Sequence, residues 1–189
     1  MKENSSLCVL MLVYVDSDWA GDKIARKSTT GAVLKVGGDA VKTYSRNQKT
    51  IALSSGEAEL YAIVSGIAEA IGIQSFWAEF CFKYKIRCFS DSSAAVGIVK
   101  RDGIGKVRHL QTQFLWVQEM TTNNKASIHK VGTDSNPADL LTTYLDSKQL
   151  TDILLSSTFV IQPIDHNLHQ TSSTMSACCV PVSGRRINK

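Results

Sequence analysis

The cysteines of this chain carry no metal-site spacing. Cys8, Cys81, Cys88, Cys178 and Cys179 are odd in number and form neither a CxxC pair nor a Cys/His zinc pattern. They read as small buried thiols of an intracellular protein, not as a disulfide framework. A membrane span is also missing from the most apolar run. Residues 7–15 (LCVLMLVYV) fall far short of the about 20 residues a bilayer helix needs. The flank of that run holds Glu3 as well as Lys2, and no small-residue cleavage site follows, so it resembles a signal-peptide core in length only. The run ends in acids, so it reads as a buried strand of a soluble protein. Strong charge of one sign is lacking too: the formal net charge is +4 over 189 residues. Residues 156–189 hold three basic residues and one acid, which leaves only about +2 for the remainder. Bulk electrostatics therefore argue little for a nucleic-acid partner, and any such contact has to come from local patches. No internal repeat is present.

What is there suits an ordinary core, with 43% hydrophobic residues in a length that fits one domain plus extensions. Residues 7–15 read as a central strand buried on both faces. Residues 30–36 and 40–45 are shorter runs separated by Gly37-Gly38-Asp39, a hairpin signal, so three antiparallel strands are expected. Ser54-Ser55-Gly56-Glu57 has the capping-box pattern, and Leu60, Ile63, Val64, Ile67 and Ile71 follow at helical spacing. Ile73, Phe76, Trp77 and Phe80 continue that face beyond a bend expected at Gly72. Residues 85–90 read as a strand, and Asp91-Ser92-Ser93 caps a short helix. A helix over 109–120 and a strand over 126–131 come next. Asn136, with Pro137 at the first helical position, opens a last helix over 138–145. Periodicity fails from about Ser156. The order predicts an α/β protein with a mixed sheet, its later strands parallel.

Four acids fall at element ends. Asp16 follows the first strand, and Asp18 lies two residues on. Glu59 borders the buried face of the long helix. Asp91 joins strand to helix, and Asp139 lies in the first turn of the last helix. Each also reads as a helix cap, a turn residue or a solvated helix acid. Together they say more. A carboxylate after a wholly apolar strand is unfavourable to bury unless it is paired or coordinates a cation, and strand ends are where α/β sheets bind ligands. Oxygen-only ligands favour a hard divalent ion, magnesium or manganese, over zinc. Two such ions about 3.5–4 Å apart suit in-line hydrolysis of a phosphodiester.

VDSDWAGD (15–22), RKSTTGAV (26–33), SRNQKTIALSSGEAELYA (45–62), FSDSSAA (89–95), KVRHL (106–110) and NPADLLT (136–142) resemble, in order, the motifs of copia-type retrotransposon ribonuclease H. ALSSGEAELYA is the most specific of them. The resemblance covers about residues 13–145. It implies a ribonuclease H-like fold, a five-stranded mixed sheet flanked by helices, and cleavage of the RNA strand of an RNA/DNA hybrid with two Mg2+ ions, or Mn2+ in their place. Motif by motif it implies Asp16, Glu59, Asp91 and Asp139 as catalytic metal ligands. Residues 1–12 are then an extension with the start of the first strand, and residues 146–189 a helix end and a disordered tail.

The resemblance has gaps. The loop 132–135 has no histidine where many of these enzymes carry one, His129 falls within the preceding strand, and Thr143 stands where lysine is frequent. Arg26, Lys27, Arg46, Lys49, Lys106, Arg108 and His109 are the candidate substrate contacts, with Lys23 beside them. Trp19 reads as a packing residue or a nucleotide stacker. A reverse transcriptase domain, absent from this chain, is the expected neighbour in a polyprotein. The chain is expected to be a monomer, away from membranes, in the cytoplasm within a virus-like particle or in the nucleus. The competing readings are a catalytically inactive nucleic-acid-binding remnant and a DNA-cutting nuclease on the same fold.

Overall fold

The apolar stretch near the start of the chain becomes β1 (Cys8–Asp18), the middle strand of a five-stranded sheet. The computed structural model describes residues 8–101, 111–144, 147, 148 and 151. β2 (Thr29–Val36) and β3 (Asp39–Asn47) pair antiparallel through a tight turn, in which Gly37 and Gly38 have φ of 63° and 104°. Positive φ at both turn residues matches the twist of the flanking strands and favours glycine. The chain then runs through α1 (Ser55–Ala78), β4 (Lys83–Ser90), α2 (Ser93–Val99), α3 (Gln111–Thr122) and β5 (Ala126–Lys130). Strand order is β3-β2-β1-β4-β5. β1 pairs antiparallel with β2 and parallel with β4, which in turn pairs parallel with β5. The helical crossovers dictate that switch, because a parallel neighbour needs a long connection. The mixed five-stranded sheet is the one expected.

α1 starts as its sequence signals. The Ser54 hydroxyl accepts the Glu57 N–H at 3.2 Å. The Glu57 carboxylate reaches one residue further back than a capping box requires and accepts the Leu53 N–H at 2.9 Å. Leu60, Ile63 and Ile67 are buried, in one core with Met11, Val13 and Val15 of β1. Full burial of a side chain of this size contributes roughly 1.5–3 kcal/mol. A Cβ on Gly66 would lie 2.5 Å from a methyl of Val15, so glycine lets helix and strand touch. α1 has the length and apolarity of a membrane-crossing helix, and 33% of its most apolar window is buried within the protein.

Several expectations need correcting. β1 is not buried on both faces: Met11, Val13 and Val15 are inaccessible, while Leu12 and Tyr14 are half-buried. It also runs on to Asp18, so Asp16 lies inside the strand, opposite Gly31. α1 has no break at Gly72, where a Cβ would meet nothing within 4 Å outside its own helix. The last helix is instead a 3-10 turn, Pro137–Leu141, with Asp139 N–H bonded to the Asn136 carbonyl and Thr142 N–H to that of Asp139, both at 3.2 Å. Cys81 is exposed, unlike the buried Cys88. Residues 102–110, the whole tail beyond 151, and with them Lys106, Arg108 and His109, lie outside the described residues.

Candidate active site

β1 and β4 run side by side, and their ends deliver Asp16 and Asp91 to one edge of the sheet. α1 crosses them and brings Glu59. Carboxylate oxygens of Asp16, Glu59 and Asp91 lie within 4.8 Å of one another. Each is held by a neutral donor. Glu59 accepts the Ser17 N–H at 3.1 Å and the Ser90 hydroxyl at 3.3 Å. Asp91 accepts the Thr133 hydroxyl at 2.9 Å, and Asp16 accepts the hydroxyl of Thr142. Asp139, on the 3-10 turn, faces the same group; the charges of Asp16 and Asp91 both act on it. Its Oδ1 is buried with no hydrogen-bond partner.

Packing these acids together raises the pKa of Asp16, Glu59 and Asp139. Burial, then repulsion from Asp16 and Asp91, pushes the Glu59 carboxyl up to about 8. Burial and the same two neighbours push Asp139 up to about 7. Asp16 is raised as well, chiefly by burial, against the opposing Thr142 hydrogen bond. Among the described residues no basic side chain pairs with these four; the ion pairs of Glu69 with Lys42 and Arg46 lie elsewhere. An all-oxygen set, mutually repelling and with one orphaned buried oxygen, fits a hard divalent cation.

No protein-family model matches the chain. Over 133 residues it is 34% identical to the retrovirus-related Pol polyprotein from transposon TNT 1-94 of Nicotiana tabacum, an alignment that takes in 68% of this chain and 10% of the polyprotein. The chain is a relative of transposon Pol polyproteins. It spans about a tenth of that relative's length. Two solved structures share its architecture. The N-terminal ribonuclease H domain of rv2228c from Mycobacterium tuberculosis superposes with a TM-score of 0.53 at 13% identity, covering 78% of this chain and 96% of that one. LC11 ribonuclease H1, isolated from compost, gives 0.54 at 15% identity, covering 69% and 91%. The fold is that of ribonuclease H.

On this ribonuclease H fold the candidate cations divide. Lys23, Arg26 and Lys49 are exposed, and Lys27 is half-buried. Arg46 is engaged elsewhere, 2.7 Å from Glu69 and over the Tyr44 ring at 3.9 Å. His129 lies on β5, 3.0 Å from the Ser127 hydroxyl, so it is a strand residue as expected. Other residues that build the site had no such role from sequence, where Asn136 read only as a helix cap. Asn136 is fully buried and donates to the Val15 carbonyl at 3.1 Å, which ties the Asp139 turn to β1. Gly31 makes room for that turn, since a Cβ there would meet the Ala138 carbonyl at 2.8 Å. The Gln48 amide joins Ser17, Thr30 and Ala58 at 2.9–3.1 Å. Thr142 was visible only as the end of NPADLLT, three residues past Asp139.

Proposed function

We propose that the chain is a metal-dependent endoribonuclease that cleaves the RNA strand of RNA/DNA hybrids. The observation that carries this is the cluster of Asp16, Glu59 and Asp91 within 4.8 Å, with no basic partner among the described residues. The family resemblance and the ribonuclease H fold supply the substrate class. Asp16, Glu59, Asp91 and Asp139 would hold the ions, two Mg2+ on the family pattern, with Mn2+ able to replace them. When bound, divalent cations lower the pKa of water and neutralise charge on the phosphodiester.

The chain's own groups supply placement. Ser17, Ser90, Thr133 and Thr142 donate to the carboxylates and fix the direction of their free lone pairs. Loss of such a supporting donor typically costs about 10- to 100-fold in metal affinity or activity. Asn136 and Gly31 hold the fourth acid against β1 and β2. Exposed Lys23, Arg26 and Lys49, with Lys27, supply phosphate contacts, which position a duplex without reading its bases. A reverse transcriptase domain would supply the hybrid, since such a duplex is the product of copying RNA into DNA.

The test is hydrolysis of an end-labelled hybrid. Cleavage is expected in Mg2+ and in Mn2+, absent in EDTA, and lost in Glu59→Gln. Protein that binds the hybrid yet never cuts it in either metal would overturn the activity and leave a binding remnant.

A further inference from the structure

Two loops adjoining β1 and α1, the elements that carry Asp16 and Glu59, hold four large apolar side chains in water. Residues 19–28 join β1 to β2, and residues 48–54 join β3 to α1. On the first, Trp19 is 53% and Ile24 97% exposed; on the second, Ile51 is 50% and Leu53 70% exposed. Neither loop is far from the acids along the chain: Trp19 follows Asp16 by three residues, and Leu53 precedes Glu59 by six.

The loops are tied to each other and wound tightly. The Trp19 indole N–H donates to the Ala52 carbonyl at 3.1 Å, and the Gln48 N–H to the Ser28 carbonyl at 2.7 Å. Within the first loop, the Ala20 N–H donates to the buried Ser28 hydroxyl at 3.0 Å. The Asp22 carboxylate accepts the N–H groups of Ile24 and Ala25, each at 2.9 Å. Ala20 and Arg26 both take the left-handed conformation at φ 55°. Ile24 is thus displayed by a built turn, not left outside by a loose one.

Cations alternate with these apolar groups. Lys23 and Arg26 flank Ile24, and Lys49 shares the second loop with Ile51 and Leu53, all three exposed. The acid of the first loop, Asp22, is occupied by backbone amides. Exposed apolar groups interleaved with cations suit nucleic acid, where cations meet phosphates and apolar faces meet sugars and bases.

Resting on the proposed hydrolysis, we infer that the two loops form a jaw that grips the hybrid beside the carboxylates. Lys23, Arg26 and Lys49 contact phosphates, and Trp19, Ile24, Ile51 and Leu53 pack on sugar edges and exposed base faces.

The test measures hybrid affinity across a salt series in EDTA, and KM and kcat in Mg2+, for Ile24→Ser, Leu53→Ser, Trp19→Phe and Trp19→Ala. Ile24 and Leu53 are exposed enough for their replacement to leave folding intact, and Trp19→Phe keeps an aromatic face. Ile24→Ser with Leu53→Ser is expected to weaken binding about tenfold, mainly as raised KM, with the slope of log Kd against log salt unchanged. Trp19→Phe should lose less than Trp19→Ala. Affinity and KM within twofold of wild type in all variants would overturn the jaw, as would a change in self-association by sedimentation with hybrid affinity intact. Wild-type protein that cuts hybrid while the variants behave like it sinks the jaw alone. Protein that binds hybrid through these residues but never cuts sinks the nuclease alone.

Discussion

Glu59 is buried between two other carboxylates, and in the metal-free protein that placement has a measurable signature. Its carboxyl titrates at about 8, against 4.5 for the free side chain. A raised folded-state value means the associated stability is fully present below pH 4.5 and is lost as pH rises through about 8. In EDTA the thermal midpoint should therefore fall between pH 5 and pH 9. Glu59→Gln carries no charge at either end of that range, so its profile should be flatter. Mg2+ at pH 8 should raise the wild-type midpoint by more than the variant's. Equal slopes for the two proteins in EDTA would show that Glu59 is not the group being forced to ionise. Thr142 offers a second residue-scale test, because its hydroxyl donates to Asp16 and valine keeps its shape. Thr142→Val is expected to reduce metal affinity, or activity at limiting Mg2+, by about 10- to 100-fold. Rescue of cleavage at high Mg2+ would separate this from misfolding.

Elements place those residues, and here local and long-range information part. The Gly37-Gly38 turn, the Ser54 cap and the Asn136-Pro137 start were legible because each is a short-range backbone event. The type of the last helix was not, since a cap followed by proline opens a 3-10 turn as readily as an α-helix. Nor were Gly31 and Gly66, whose missing side chains matter only because a distant element occupies the space. Gly66→Ala measures that. Alanine improves helix propensity by about 1 kcal/mol, but its Cβ would stand 2.5 Å from Val15. Overpacking commonly costs about 1–3 kcal/mol, so a net loss in urea midpoint is expected, partly restored by adding Val15→Ala. Asn136→Ala should lower stability by about 1–3 kcal/mol, because it leaves the Val15 carbonyl without its side-chain partner. Its effect on cleavage should exceed what that loss of folded protein explains, since the same bond holds the Asp139 turn. Activity falling only in step with folded fraction would make Asn136 a purely structural anchor.

At the scale of the whole molecule, the acids could be chosen from sequence because the motifs preserve their order, and the sheet then brings three of them within 4.8 Å. The cations could not be ranked that way. A net charge of +4 gives no dominating field, so each contribution depends on whether a side chain faces open solvent or is already paired. Lys49 is exposed on the loop before α1. Arg46, three residues earlier, lies 2.7 Å from Glu69 and stacks on Tyr44. Releasing Arg46 to a phosphate would leave Glu69 with Lys42, at 2.6 Å, as its ion-pair partner among the described residues. Phosphate contacts reveal themselves in salt dependence, where each one lost from a duplex reduces the slope of log Kd against log salt by about 0.9. Lys49→Ala is expected to reduce that slope by about one contact on the same basis. Arg46→Ala should leave the slope near wild type and instead lower thermal stability modestly, through the lost contact with Tyr44 and Glu69. Measured by fluorescence anisotropy on a labelled hybrid between 50 and about 200 mM salt, a range over which such slopes are well resolved, the reverse ranking would mean that Arg46 leaves Glu69 when nucleic acid binds.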